Sequence, residues 1–289
     1  VKPPAFSYHL PATVDEALTM LGTLENARLL AGGQSLMPML NMRFAFPDHL
    51  IDLNRIEALA GITQDGTRLR IGAMTRQRDL EQSPLVQTHL PLMAEALTHV
   101  GHRQTRNRGT IGGSLCHLDP VAELVLVAAA HDAVVEIAGS AGRRMLPFAD
   151  FPLGYMTPAI APEEMVTALL IVPSPAGHGH AFVEFARRHG DFAIVSVAVL
   201  LRLDGDNRIA TARIMLGGIE AAPLRMAEAE ALLIGQAPGA ELFGAAAATC
   251  RSVEAMEDAH APAWYRQQLA VALTLRALGT ASARAAGGR

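Results

Sequence analysis

Two stretches of this 289-residue chain place small, backbone-exposing residues where an anion can be held. The first runs Leu30-Ala31-Gly32-Gly33-Gln34-Ser35-Leu36, with Pro38 just beyond. The second runs Arg106-Asn107-Arg108-Gly109-Thr110-Ile111-Gly112-Gly113-Ser114. Glycine lets the backbone approach a ligand closely and turn through φ > 0. Successive exposed N–H groups in such a turn form a nest for anions. Pro38 suits the first turn of a helix, and a helix N-terminus adds its own unpaired amides. Either loop alone reads as a tight turn. Together they predict two neighbouring phosphates held by backbone amides, the outline of a dinucleotide. No Lys-Ser/Thr follows the glycines as in a P-loop, and the spacing is not Gly-x-Gly-x-x-Gly, so neither of those phosphate-binding designs applies. Arg103, Arg106 and Arg108 cluster in the second stretch and read as part of a local anion site.

Little else in the chain suggests chemistry of its own. Cys116, His117 and Asp119 match no zinc-ligand spacing, and Cys116 has no placed base to activate it, so no metal site and no catalytic residue is expected. The turn Arg187 to Phe192 is either an ordinary polar turn or one that presents Phe192 to a planar ligand. The two cysteines give no disulfide framework and are too few for an iron–sulfur cluster, which usually needs four. A net charge of −4 offers nothing to nucleic acid. No run of 18 apolar residues suggests a membrane span, and the opening residues are not a signal peptide. The expectation is a cytoplasmic protein.

Elements able to position these loops follow from pattern. With 50% hydrophobic and 18% charged residues the chain can bury cores for two or three modest domains. Thr13 and Glu16 have capping-box spacing ahead of a helix. Strands are expected at Phe6 to His9, Arg28 to Ala31, Leu50 to Leu53, Leu69 to Ala73, Ala133 to Ala138 and Met165 to Val172. Thr75 is expected to begin a helix, Pro91 to Val100 to form another, and Asp119 to cap a buried one with Pro120 at its first position. Pro173 to Gly179 reads as a linker, in which a substitution at Gly179 should be tolerated. Strands follow at Ala181 to Ala186, Phe192 to Leu203 (helical in part) and Arg208 to Leu216. Helices run from Pro223 to Leu278, broken near Gly235 to Gly239 and at Pro262. Ala281 to Arg289 reads as a frayed tail. Strands followed by helices give an α+β class.

The pairing of Ala31-Gly-Gly-Gln-Ser35 with Gln104-Thr-Arg-Asn-Arg-Gly-Thr-Ile-Gly-Gly113 closely resembles the FAD-binding medium subunits of the molybdenum hydroxylases, the xanthine dehydrogenase and carbon monoxide dehydrogenase family. The resemblance covers nearly the whole chain. It implies a two-lobed PCMH-type, vanillyl-alcohol-oxidase-like FAD domain over residues 1–176 (lobes about 1–55 and 56–176). A C-terminal domain of a three-stranded sheet and a helical bundle would follow over 177–289. It also implies that Ala31, Gly32, Gly33, Gln34 and Ser35, with Thr110, Ile111, Gly112, Gly113 and Ser114, hold the FAD pyrophosphate and nearby ribityl groups. His117 is counted beside them, Glu123 on the adenosine side, Ile160 near the flavin, and Phe192 over a face of the isoalloxazine. Gln34 stands where the family often has His, and Ser114 where it often has Asn or Asp; both remain hydrogen-bonding groups. The implied function is electron transfer in a heterotrimer: a large molybdopterin subunit oxidises substrate, a small subunit carries two [2Fe–2S] clusters, and FAD here passes electrons to an external acceptor. Two other readings remain at this point, a stand-alone FAD-dependent oxidase and a nucleotide-binding module without electron transfer.

Overall fold

The computed structural model describes residues 2–287. Its first lobe orders β1 (Ser7–His9), α1 (Val14–Thr23), β2 (Ala27–Leu30), α2 (Leu36–Asn41) and β3 (His49–Asp52). The strands form a parallel sheet in the order β1-β3-β2. The Thr13 side chain accepts the Glu16 amide at 3.2 Å, and Glu16 Oε2 accepts the Ala12 amide at 2.8 Å. That reciprocal cap fixes where α1 starts. Ala17 and Leu21 then face the small core under the sheet. The C-terminal ends of β2 and β3 release the first glycine stretch and Asp52-Leu53-Asn54, side by side.

The second lobe contains β4 (Ile62–Asp65), β5 (Arg68–Gly72), α3 (Gln77–Gln82), α4 (Pro84–His89), α5 (Pro91–Leu97), α6 (Arg103–Arg108), α7 (Ile111–His117) and α8 (Glu123–Ala130). It continues through β6 (Val134–Gly139), β7 (Gly142–Pro147), the small β8 (Pro152–Gly154) and β9 (Thr157–Pro158) pair, and β10 (Met165–Ile171). Five of these strands form an antiparallel sheet in the order β4-β5-β10-β6-β7. All seven residues of β10 are buried, as expected for a central strand covered on both faces.

The last part is a sheet β11-β12-β13-β14, from β11 (Gly179–Phe185), β12 (Val195–Leu203), β13 (Ile209–Gly217) and the two-residue edge β14 (Leu224–Arg225). It is covered by α9 (Ala227–Leu233), α10 (Ala240–Ala248) and α11 (Ala263–Gly287). Side chains alternate between the two faces. Phe182, Ala198 and Met215 join the core built around α5 and α8. Ala181, Val197, Val199, Leu201 and Ile214 join the core under the final helices. The third sheet is thus shared between two hydrophobic cores.

Four expectations are corrected. The helix expected from Thr75 starts at Gln77, because the Thr75 hydroxyl is held by the Gly61 backbone at 2.9 and 3.0 Å. Asp119 does not cap α8: its Oδ1 takes the Val121 amide at 3.0 Å in a local turn, and Ala122 is the cap residue. The expected three-stranded C-terminal sheet carries β14 as a fourth, short strand. The expected frayed tail is the end of α11, with Ala281 and Ala285 buried; residues 288–289 lie outside the described residues.

Gly179 is not a free linker position either. It opens β11, is buried, and a Cβ there would overlap the Ala281 carbonyl oxygen and come within 2.8 Å of the Ala285 amide nitrogen. Arg284, one turn along, donates to Glu95 Oε2 at 2.8 Å, to Glu95 Oε1 at 3.0 Å and to the His180 carbonyl at 2.8 Å. Glu95 also accepts the Phe182 amide at 3.0 Å. Gly179→Ala is therefore expected to destabilise the protein by at least ~1–3 kcal/mol, the usual cost of overpacking. Gly205→Ala, where nothing lies within 4 Å of the added carbon, should change little. Equal midpoints in urea for the two variants would contradict the packing described.

Candidate functional site

The two glycine stretches, 80 residues apart by the numbering of Gly33 and Gly113, meet in the structure. A Cβ on Gly32 would overlap the Arg108 carbonyl oxygen and lie 2.8 Å from Gly109 Cα. The Gly113 position lies 3.6 Å from Ala31 Cβ. Gly33 has φ +73°, a conformation that favours glycine, and its carbonyl accepts the Met37 amide at 3.1 Å to begin α2. Among the described residues, the amides of Gly32, Gly33, Gln34, Ser35 and Leu36 donate to no acceptor of the chain. Three of these residues, Gly32, Gly33 and Gln34, line a cavity of about 360 Å³ together with Leu30, Ala31, Met37, Pro38 and Arg108. Consecutive unpaired donors, a left-handed glycine and an adjoining arginine residue fit a diphosphate group.

The second stretch is built differently. The Ile111 amide donates to the Thr75 carbonyl at 3.1 Å and the Gly112 amide to the Ala73 carbonyl at 2.9 Å. The Gly113 amide donates to Thr110 Oγ1 and the Ser114 amide to the Thr110 carbonyl, both at 3.1 Å. These donors have partners within the chain, so in this structure the unpaired amides of the seam lie in the first stretch. Gly112 is a packing glycine, since a Cβ there would come within 2.6 Å of Ala73 Cβ. The segment supplies a wall pressed against the first loop, with Thr110 capping α7. The arginine cluster is corrected too. Arg106 is buried and committed to Glu81 at 3.0 Å and to the Val100 carbonyl at 2.9 Å; Arg108 lines the cavity.

The remaining candidates extend from this seam. His117 closes α7, roughly 10 Å from Thr110 at 1.5 Å per residue; burial lowers its pKa. Cys116 is half-buried, and burial pushes its thiol up to about 12, which disfavours the nucleophilic thiolate. Ile160 is half-buried and its amide meets the Pro158 carbonyl at 2.9 Å, beside β9, which packs on α7. Phe192 is 77% exposed. Its turn reaches back to the helices of the second lobe: Gly190, at φ +84°, sits so close to the His102 ring that a Cβ would lie 2.6 Å from Nδ1. His102 is the cap residue of α6, the helix that delivers Arg108.

Glu123 begins α8, and burial raises its carboxyl to about 7, with Glu184 and Asp119 adding to the rise and His99 opposing it. Glu184 comes from β11, meets His99 Nδ1 at 3.3 Å and leaves Oε2 buried without a partner. Two acceptor-rich carboxyls that feel each other's charge fit a hydroxyl-bearing group.

Two residues of this seam escaped sequence reasoning. Asn54 donates to the Ala31 carbonyl at 3.0 Å, and Arg76 donates to Asn54 Oδ1 and to the Arg108 carbonyl. The available signal was position: Asn54 follows the C-terminal end of a parallel strand, as the first glycine loop does. Among the described residues no group of three or more His, Cys, Asp or Glu could hold a metal ion, and no helix is long and apolar enough to cross a membrane.

Residues 4–175 match the family model described as the FAD binding domain in molybdopterin dehydrogenase, and residues 180–281 that described as the CO dehydrogenase flavoprotein C-terminal domain. The 6-hydroxypseudooxynicotine dehydrogenase complex subunit alpha of Paenarthrobacter nicotinovorans is 38% identical, over 99% of this chain and 97% of its own. A chain of carbon monoxide dehydrogenase from Hydrogenophaga pseudoflava superposes with a TM-score of 0.95 at 40% identity, over 98% of this chain and 99% of its own. A chain of quinoline 2-oxidoreductase from Pseudomonas putida 86 does so with a TM-score of 0.95 at 36% identity, over 99% of both.

The Glu123 environment gives a pH test. In the folded, cofactor-free protein the carboxyl holds its proton more tightly than when unfolded. Its favourable contribution is therefore complete below about pH 4.5 and is lost as the pH rises through 7. Glu123→Gln should remove a loss on the order of 2–3 kcal/mol over that window. The difference in unfolding free energy between variant and parent should grow from pH 4.5 to 7; a constant difference would place the carboxylate in water.

Proposed function

The chain belongs to the FAD-binding flavoprotein family of the molybdopterin dehydrogenases, and we propose that within it the chain is the electron-transferring medium subunit of a heterotrimeric molybdenum hydroxylase. The observation that carries this reading is the first glycine loop, whose unpaired amides line a cavity walled by the second, in a chain matched along its length by such flavoproteins. Ala31, Gly32, Gly33, Gln34 and Ser35 hold the diphosphate, with Arg108 balancing its charge. Thr110, Ile111, Gly112, Gly113 and Ser114 form the opposing wall, and His117 lies at its far end. Glu123 faces the adenosine hydroxyls, Ile160 lies by the flavin, and Phe192 covers a face of it. The folding units are 1–176 and 177–289, the first in two lobes.

When bound, FAD supplies the storage and release of electrons. The chain binds it, excludes water from it and orients it. It nominates no acid, base or nucleophile, so substrate is oxidised on a large molybdopterin subunit. Electrons arrive from [2Fe–2S] clusters of a small subunit, since this chain has two cysteines and Cys250 is buried away from Cys116. They leave to an external acceptor, in the cytoplasm. The likeness to carbon monoxide dehydrogenase and 6-hydroxypseudooxynicotine dehydrogenase subunits supports an assembly of the carbon monoxide dehydrogenase or N-heteroaromatic dehydrogenase type.

The test loads the isolated chain with FAD and reduces it by light. It should pass electrons to a dye or quinone, yet show no bleaching when offered carbon monoxide or an N-heteroaromatic. Bleaching by substrate without partner subunits would sink this reading in favour of a stand-alone oxidase; failure to take up FAD would favour a different nucleotide. Acid precipitation should release the colour, because burial pushes the Cys116 thiol up to about 12, away from the thiolate that would attack flavin. Phe192→Ala should speed air reoxidation of the reduced protein severalfold while weakening FAD binding by less than about tenfold, since stacking contributes roughly 0.5–1.5 kcal/mol. An unchanged reoxidation rate would remove Phe192 from the flavin.

A further inference from the structure

A chain of polar contacts crosses the back of the site and ends on both glycine stretches. Asp52, at the end of β3, accepts the Tyr8 hydroxyl from β1 at 2.5 Å and the Asn54 amide at 2.8 Å, and its Oδ1 also accepts Asn54 Nδ2. The Asn54 side chain is thereby held with both ends in use. Its Nδ2 reaches the Ala31 carbonyl at 3.0 Å, and its Oδ1 accepts Nη2 of Arg76. Nη1 of the same guanidinium donates to the Arg108 carbonyl. That carbonyl is the one against which the Gly32 backbone is pressed. The Arg76 main chain is itself bridged to Thr110. One amide and one guanidinium therefore connect Ala31, at the root of the first loop, to Arg108, at the root of the second.

We infer that Asn54 and Arg76 are a clasp that fixes the separation of the two glycine segments and so sets how tightly the flavin diphosphate is held. They are positioning residues. Both hydrogen bonds of Arg76 go to neutral oxygens, so its planar fork serves as a spacer of fixed length. A lysine carries the same charge but has neither the fork nor two donors at that spacing. The Ala31 carbonyl is anchored through Asn54 to the parallel sheet, and the Arg108 carbonyl is anchored to the end of α6. With the clasp open, the amides of Gly32 to Leu36 would still exist, but the wall opposite them would no longer be held at the distance a diphosphate needs. The inference rests on the FAD reading above.

The experiment is a double-mutant cycle on the full-length chain, read by flavin fluorescence titration of the cofactor-free protein and by its thermal midpoint. Asn54→Ala and Arg76→Ala should each raise the FAD dissociation constant about tenfold, and the double variant about tenfold as well instead of a hundredfold, because both break one linkage. Arg76→Lys should behave like Arg76→Ala. Arg208→Ala, which removes an arginine-to-carbonyl bond in the C-terminal sheet (2.9 Å to Gly235), should leave FAD affinity within twofold. Additive losses would show that the two residues act separately, and full rescue by lysine would show that Arg76 acts through its charge; either overturns the clasp. An affinity loss matched by an equal fall in the cofactor-free midpoint, absent in the Arg208 control, would reduce the pair to fold stability and overturn it too. If the parent chain takes up no FAD, the cofactor reading itself fails; if the parent binds and both variants bind equally well, only the clasp does.

Discussion

Two backbones touch at the centre of this protein with no side chain between them. Gly32 lies on the Arg108 carbonyl and Gly109, and Gly112 lies on Ala73. Any Cβ at Gly32 or Gly112 would drive the segments apart, so the close approach dictates glycine there before any ligand is considered. The rest of the seam follows from that contact. Pressing the second segment against the first leaves the first loop's amides facing a cavity and turns the second segment's amides inward to Ala73, Thr75 and Thr110. One loop offers donors and the other offers rigidity. Resemblance between the two sequences conceals this division of labour.

The larger architecture serves the same seam. The parallel sheet of the first lobe ends its strands where Ala31 and Asn54 emerge. The antiparallel sheet of the second lobe carries Ala73 into contact with α7. The third sheet is bound to the second lobe through Phe182, Ala198 and Met215, and its β11–β12 connection carries Phe192 back toward α6. At the start of α8, near the His99–Glu184 pair, burial raises the Glu123 carboxyl, as for a group that gave up water without gaining a cation close enough to compensate. Such an environment costs stability in the cofactor-free protein and is tolerated where a ligand supplies the missing partners.

Much of this was legible in the sequence. Strands β2, β3, β6 and β10 are largely apolar runs bounded by turn residues, β5 alternates arginine with apolar residues, and the capping box at Thr13 fixes α1 within a residue. The glycine stretches announced a site because no ordinary element needs that composition twice. What stayed hidden has physical reasons. Strand β7 is an exposed edge carrying Arg143, Arg144 and Met145, so it shows no apolar alternation. Asp119-Pro120 looks like a helix start, but the local Asx turn satisfies Asp119 first. The unequal use of amides in the two loops depends on Ala73 and Thr75, far away in sequence. Asn54 and Arg76 are single polar residues whose partners are backbone carbonyls, and a carbonyl carries no residue-specific mark.

The contact between Gly179 and the last turns of α11 joins positions 102 residues apart, and Arg284 extends it to Glu95 of α5. On the ribosome the strands of the third sheet emerge long before the helix segment that covers them. Until Ala281, Arg284 and Ala285 have cleared the exit tunnel, the start of β11 has no lid and Glu95 lacks its guanidinium. Closure of the C-terminal layer and its fastening to the second lobe are then a single late event in synthesis.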